Sequence, residues 1–283
     1  MASCEIMHCP QTSNYNPEWY AKLLCRARLR LLQMHFESKV GHIGGNLSCL
    51  DLLLCLYHRV LRPDDIFLLS KGHSVGALYI ALWTMGRLAE SDLVEFHRDG
   101  TRLSGHPPQQ GISDIVFGTG SLGHGLGLAA GLALGKRLNN ESGRVFCLMS
   151  DGEWNEGSCW ESLIFIRQRE LRNLTFLIDL NGLQGFGTTR EVADLGSLAD
   201  KLRTFGIAVC EIDGHDPCAI QNALLNNDAD RPTAIVARTH KGHGVSFMED
   251  RLEWHYLPLS HELYVKAVRE VEDACAASFA DPF

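Results

Sequence analysis

The 283-residue chain carries 26 Lys+Arg against 34 Asp+Glu, with 45% hydrophobic and 21% charged residues. That composition excludes a disordered or fibrous chain, and a polypeptide of this size can bury roughly three quarters of its unfolded surface without a metal or disulfide staple. The formal charge of −8 and the dispersed basic residues oppose docking on nucleic acid or on an anionic membrane.

No apolar run approaches the ~20 residues of a membrane span; LGLAAGLAL (126–134) is short and glycine-rich. The N-terminal MASCEIMHCPQTS lacks the basic flank and apolar stretch of a signal peptide, so a cytoplasmic location is expected. Ten cysteines stand at 4, 9, 25, 49, 55, 147, 159, 210, 218 and 275 with no CxxC pair. They are expected to be free thiols of a reducing compartment, buried where Cys25, Cys55 and Cys147 fall in apolar runs.

In chain order, a polar leader precedes Asn16-Pro17, an N-cap followed by a first helical proline. Tyr20, Leu24, Ala27, Leu31 and Met34 then recur at helical spacing and predict an amphipathic helix ending near Gly41. A second helix is expected from Ser48, with Asp51 three residues on, and a third after His73. The segment GTGSLGHGLGLAAGLALG (118–135) reads as a loop entering a helix whose small residues permit close approach.

From there short apolar runs alternate with helices. VFCLM (145–149) is followed by a helix through Trp160, Leu163 and Ile164, and LTFLIDL (174–180) by a helix through Leu198, Leu202 and Phe205. IAVCEI (207–212), a helix capped by Asp216-Pro217, and TAIVAR (233–238) complete the series. This rhythm predicts an α/β fold: a parallel sheet with helices on both faces, in a single domain spanning 1–283 with its core at about 17–260. The tail after Glu249 is expected on the surface or against a partner.

Ligands in such sheets bind where strand C-terminal ends meet helix N-termini. VFCLM runs into Ser150-Asp151-Gly152, and LTFLIDL into Asn181-Gly182-Leu183, so a carboxylate and an amide stand one strand-helix-strand unit apart. With a loop carbonyl they make a set of hard oxygen donors suited to Mg²⁺, which keeps positions for substrate phosphates and water. Asp-Gly and Asn-Gly are also ordinary turns. Four histidines beside glycine, His42, His73, His106 and His243, add imidazoles in loop-like contexts.

Together these stretches resemble the N-terminal half of transketolase. VGHIGGNLS, DDIFLLSKGHSVGALYIALW, RLSGHPPQQGI, TGSLGHGLGLAAGLAL, SDGEWNEGSCWES, DLNGLQGFGTTREV and KGHGVSFMEDRLEWH occur in the family's order over residues 17–260. The resemblance implies the thiamine diphosphate-binding fold, with Mg²⁺ or another divalent cation held by Asp151, Asn181 and the carbonyl of Leu183. It places His73 and Gly152 by the diphosphate, and Gly120, Ser121 and Leu122 beside the aminopyrimidine. His42, His73, His106 and His243 are the catalytic imidazoles it implies, with His255 as an alternative to His243. Glu156 and Glu161 match acidic residues at the interface between active sites, and Glu156 is counted with the cofactor residues.

The implied reaction passes a two-carbon ketol unit from a sugar or sugar phosphate to an aldose, with the cofactor as electron sink. Protons leave and return to sugar hydroxyls, which suits imidazoles. The activating glutamate of the family lies in a pyrimidine-binding domain beyond the matched part. The expected arrangement is therefore a split enzyme, inactive alone and completed by a second chain with the pyrimidine-binding and C-terminal domains in an α2β2 heterotetramer. Ser150 and Tyr256 stand where the family often has Gly, and Ser121 where it often has Pro. The alpha subunit of a 2-oxo acid dehydrogenase and a non-catalytic scaffold are the competing readings. SKGH and SGHP oppose the first, and Asp151, Asn181 and the imidazoles the second.

Overall fold

The structure, a computed structural model, describes residues 16–226 and 230–280. Five parallel strands form one sheet in the order β1-β2-β3-β5-β4: β1 (Ile66–Leu69), β2 (Val145–Ser150), β3 (Leu174–Leu180), β4 (Ala208–Asp213) and β5 (Thr233–Arg238). The helices are α1 (Pro17–Ser38), α2 (Ile43–Cys55), α3 (Val75–Thr84), α4 (Glu90–Leu93) and α5 (Gly125–Leu138). They continue with α6 (Gly157–Gln168), α7 (Thr189–Ala193), α8 (Leu198–Thr204), α9 (Pro217–Leu225) and α10 (His261–Ala280).

Alternation along the strands divides the core in two. Phe146, Leu148, Leu177, Ile235 and Ala237 face a cluster with Leu31, Leu50 and Ile80 of α1, α2 and α3 and Leu224 of α9. Cys147, Met149, Phe176, Ile178 and Val236 face the opposite cluster, with Ala129 of α5, Leu163 of α6 and Leu202 of α8. Both faces are covered, which explains why the strands read as continuous apolar runs. Among the described residues no helix is long and apolar enough to cross a membrane.

The first helix starts as its sequence dictates: Asn16 accepts the Trp19 N–H at 3.1 Å, and Pro17 occupies the first turn. The second starts earlier than Ser48, at Ile43, because Gly44 and Gly45 are helical despite their low propensity. Lys241 and Trp254 pack on Gly44, and Ser74 and His73 on Gly45, leaving little room for a side chain at either position. Packing therefore overrides propensity, and every residue of α2 is buried.

The segment after Glu249, expected on the surface or against a partner, packs on this chain's own first helix. Its helix α10 docks on α1, with Tyr264 stacked on Phe36 at 4.3 Å and Ala267 and Val271 buried. The expectation of free thiols fails at one pair, since Cys25 of α1 and Cys275 of α10 form a disulfide with Cα atoms 6.0 Å apart. Partners separated by 250 residues meet only through the tertiary fold, so no local spacing reveals them. Cys49, Cys55, Cys147, Cys159, Cys210 and Cys218 are free, the first four buried. Cys4, Cys9 and the rest of the leader lie outside the described residues.

Two predictions arise from this packing. Closing so long a loop constrains the unfolded chain by about 5 kcal/mol in the chain-entropy treatment. Reduction should thus lower the unfolding free energy in urea by up to that amount, whereas coincident curves with and without reductant would contradict the bond. The second concerns His35 on α1, which is buried with no hydrogen-bond partner for Nε2 and is pushed down to about 4 by burial. Its neutral form contributes stability that is present above the ordinary imidazole pKa of about 6.5 and lost as pH falls toward 4, roughly 3 kcal/mol in all. In urea unfolding at pH 7 and pH 4, His35→Leu should show a pH dependence smaller by about that amount; equal dependences would contradict the assignment.

Candidate active site

The C-terminal ends of β2 and β3 carry Asp151 and Asn181, and the register pairs Ser150 with Asp179. One Asp151 carboxylate oxygen accepts the Gly152 N–H at 2.7 Å and the other the Gly182 N–H at 2.6 Å, tying the two strand ends together. Gly182 takes a left-handed conformation, φ 76°, that reverses the chain so that Asn181 Oδ1 accepts the Leu183 N–H at 3.1 Å. Asp151, Asn181 and the Leu183 backbone therefore meet in one turn system.

The charges there are incompletely compensated. Burial, and then the charge of Asp179, push the Asp151 carboxyl up to about 6. Lys241 is also buried; its Nζ lies 2.8 Å from His255 Nδ1 and 3.4 Å from the carbonyls of Leu183 and Gln184. Burial, followed by the charge of Lys71, pushes it down to about 8. Gln184 Nε2 is buried without a hydrogen-bond partner, and Gln184 packs against Gly152. A strained buried carboxyl beside a strained buried ammonium and an orphaned amide donor fits a unit offering both a cation and an anion. A divalent metal bound to a diphosphate is such a unit.

Beneath this lies a neutralised pair that the sequence motifs do not reveal. Asp179 in β3 pairs with Lys71 and accepts hydrogen bonds from Thr239 Oγ1 and, at 2.6 Å, Ser48 Oγ. Lys71 Nζ also donates to the Gly45 carbonyl at 3.1 Å. Burial alone would raise the Asp179 pKa, but Lys71 and these hydroxyls outweigh it and hold the carboxylate charged. Glu153 is a second residue absent from the sequence-based set: it accepts the Gly123 N–H at 2.9 Å, the Ser150 N–H at 3.2 Å and the Ser70 hydroxyl. It thus joins the ends of β1 and β2 to the loop before α5. The available signal was a carboxylate inside the apolar run of β3 and a lysine two residues past that of β1.

Four imidazoles cluster at the site. His42 lies 5.5 Å from His73, 5.1 Å from His255 and 6.4 Å from His106, and His73 lies 5.5 Å from His255. Burial lowers each of them: His42 to about 4, His255 to about 3, His73 far below its ordinary value, and His106 in the same direction. Neighbouring histidines or lysines add to the shift in each case. Near pH 7 these rings are neutral, each with one nitrogen lone pair able to accept a proton. Gly120, φ 145°, lies against the His106 ring, where a Cβ would come within 2.9 Å of it, so the loop of Gly120, Ser121 and Leu122 borders the cluster.

His243 stands elsewhere. Glycines with positive φ on either side, Gly242 and Gly244, carry it to a stack 3.5 Å from His215, beside Glu249 at 3.3 Å. That stack adjoins Asp51, which is held by Arg28 at 3.0 Å and by His215 Nδ1 at 3.0 Å. His255 is thus the fourth imidazole of the cluster, and His243 belongs to a separate polar group. Asp51, His215 and His243 lie close enough to hold a cation, but Arg28 already neutralises the carboxylate, and His215 Nε2 accepts the His240 N–H at 2.9 Å. Glu156 and Glu161 are exposed at the start of α6, Glu156 against Gly123.

A profile described as "Transketolase, thiamine diphosphate binding domain" matches residues 24–279. The chain is 38% identical over 257 residues to one of the subunits of the apulose-4-phosphate transketolase of Phocaeicola vulgatus, covering 87% of this chain and 91% of that protein. It is 33% identical over 257 residues to the transketolase of Homo sapiens, covering 87% of this chain but only 41% of the human protein. The crystal structure of transketolase from Campylobacter jejuni matches with a TM-score of 0.85 at 24% identity, over 94% of this chain and 46% of that one, a likeness of fold.

The buried pair yields a further prediction. Asp179→Asn should destabilise the chain by about 3–5 kcal/mol in urea unfolding, because Lys71 is left charged and buried without its partner. The double variant Lys71→Met/Asp179→Leu should lose less than the single one. A loss below about 1 kcal/mol for Asp179→Asn would contradict the pairing.

Proposed function

Since this chain belongs to the transketolase family and forms its thiamine diphosphate-binding domain, we propose that it is the diphosphate-holding subunit of a two-chain transketolase. The pair moves a two-carbon ketol unit from a ketose phosphate to an aldose. What carries this reading is the convergence of Asp151, Asn181 and Leu183 beside the neutral imidazoles of His42, His73, His106 and His255. Similarity over 91% of the Phocaeicola vulgatus protein, itself named as one subunit, supports the two-chain form.

In this proposal Asp151, Asn181 and the Leu183 carbonyl hold Mg²⁺ or another divalent cation. His73, Gly152, Gln184 and Lys241 adjoin the diphosphate, and Gly120, Ser121 and Leu122 adjoin the aminopyrimidine. Bound thiamine diphosphate supplies an electron sink at the sugar carbonyl carbon. The imidazoles accept and return protons at sugar hydroxyls, a task that burial suits them for by keeping them neutral. His243 supports the fold through the Asp51 group rather than meeting the sugar.

The partner contributes the pyrimidine-binding and C-terminal domains, including the activating glutamate, in an α2β2 assembly. Glu156 and Glu161 lie at that interface in the same reading. Exposed apolar side chains at Ile164 and Phe165 of α6, and at Val116 and Phe117 of the loop before α5, suit such docking. The domain is taken as one unit over 1–283. A cytoplasmic location agrees with the six free thiols among the described residues, while the Cys25–Cys275 disulfide points the other way.

The test is calorimetry and turnover of the chain with its partner polypeptide. Asp151→Ala should abolish uptake of thiamine diphosphate with Mg²⁺, because the cation loses its charged ligand. His106→Ala should keep uptake and lower ketol transfer by roughly 10²–10⁴-fold. Wild-type activity of Asp151→Ala at limiting Mg²⁺ would contradict the assignment. Release of CO₂ from 2-oxo acids without ketol transfer would contradict the reaction.

A further inference from the structure

Tyr256 is fixed at both its backbone and its ring, yet half of it faces solvent. The His42 N–H donates to the His255 carbonyl at 3.0 Å, and the Tyr256 N–H to the Glu253 carbonyl at 3.1 Å. The Tyr256 carbonyl packs so closely on Gly41 that a Cβ there would come within 2.4 Å of its oxygen. Residues 255–256 are therefore clamped onto the start of α2.

From that anchor the ring reaches across the site. It lies 4.6 Å from the His255 ring and 6.3 Å from His42. Its hydroxyl stands over Gly185, where an added Cβ would be 2.3 Å from Oη. Gly185 belongs to the loop that carries Asn181 and Leu183, so the phenol bridges the histidine cluster and the candidate metal loop. Tyr256 is 55% exposed, and its hydroxyl makes no hydrogen bond to the described residues. Packing rather than polar bonding sets its place, which makes its bulk the property available for selection.

We propose that Tyr256 is a specificity-determining residue that narrows the sugar entrance and favours short ketoses over long ones. This rests on the ketol-transfer reading above. A ketose whose reacting carbons sit among His42, His73 and His106 extends its remaining carbons outward. On the side bounded by His255, the ring of Tyr256 stands in that space. Longer chains meet it, while a five-carbon chain ends sooner. A contact of this kind discriminates by the steric fit of a few carbons, an effect on the order of tenfold.

The experiment compares kcat/KM for xylulose 5-phosphate and sedoheptulose 7-phosphate as donors, using the chain with its partner polypeptide, thiamine diphosphate and Mg²⁺. Tyr256→Ala should raise the seven-carbon to five-carbon ratio by about tenfold, chiefly through the KM of the longer sugar. Tyr256→Phe, which keeps the ring and loses only the hydroxyl, should leave that ratio within about twofold. A ratio unchanged in Tyr256→Ala, or a parallel fall for both sugars, would overturn the proposal, as would a ratio that moves equally in both variants. A wild-type complex that releases CO₂ from 2-oxo acids and transfers no ketol unit from either sugar would overturn the functional reading, and this inference with it.

Discussion

The ion pair between Lys71 and Asp179 is the constraint on which the site depends. Both groups are buried, and the carboxylate also accepts from Ser48 on α2 and Thr239 after β5. A buried pair of this kind is weak evidence for stability, since two hydrophobic residues of similar volume often do as well. What it provides here is placement. It brings the turn after β1, the end of β3, the middle of α2 and the exit from β5 to a single point, and those are the segments that carry His73, Asn181, His42 and Lys241.

Placement of this kind leaves the neighbouring groups under electrostatic stress. Asp151 is raised and Lys241 is lowered, each by burial before anything else. The same desolvation keeps the imidazoles of His42, His73 and His255 neutral. One physical cause therefore leaves a raised carboxyl, a lowered ammonium and a set of neutral proton acceptors around the candidate site. Water would screen and relax all three; a bound metal–diphosphate unit would relieve the first two while leaving the acceptors free.

The sheet was legible because parallel strands buried on both faces must be continuously apolar, as LTFLIDL and TAIVAR are. The caps at Asn16-Pro17 and Asp216-Pro217 were legible because each satisfies exposed helix amides locally. The start of α2 was not, since Gly44 and Gly45 are helical only through what packs on them. The strand β1, four residues long, lies inside a stretch read for its motif rather than for its periodicity. That Asp151, Asn181 and Leu183 meet in one turn system, and that His42, His73 and His106 cluster, was readable from motifs, whereas the place of His255 in the cluster and of His243 outside it turned on where glycine-flanked turns send the chain. Lys71, Asp179, Glu153 and the disulfide depend on contacts between distant segments, which single-sequence patterns do not encode.

The most direct measurement is a crystal structure of the chain bound to its partner polypeptide, with thiamine diphosphate and Mn²⁺ in place of Mg²⁺, read by anomalous scattering. The expected result is one Mn²⁺ peak about 2.1–2.3 Å from an Asp151 carboxylate oxygen, Asn181 Oδ1 and the Leu183 carbonyl oxygen, with the diphosphate alongside. A cofactor bound with its metal away from Asp151 and Asn181, or those two side chains turned into packed protein, would contradict it.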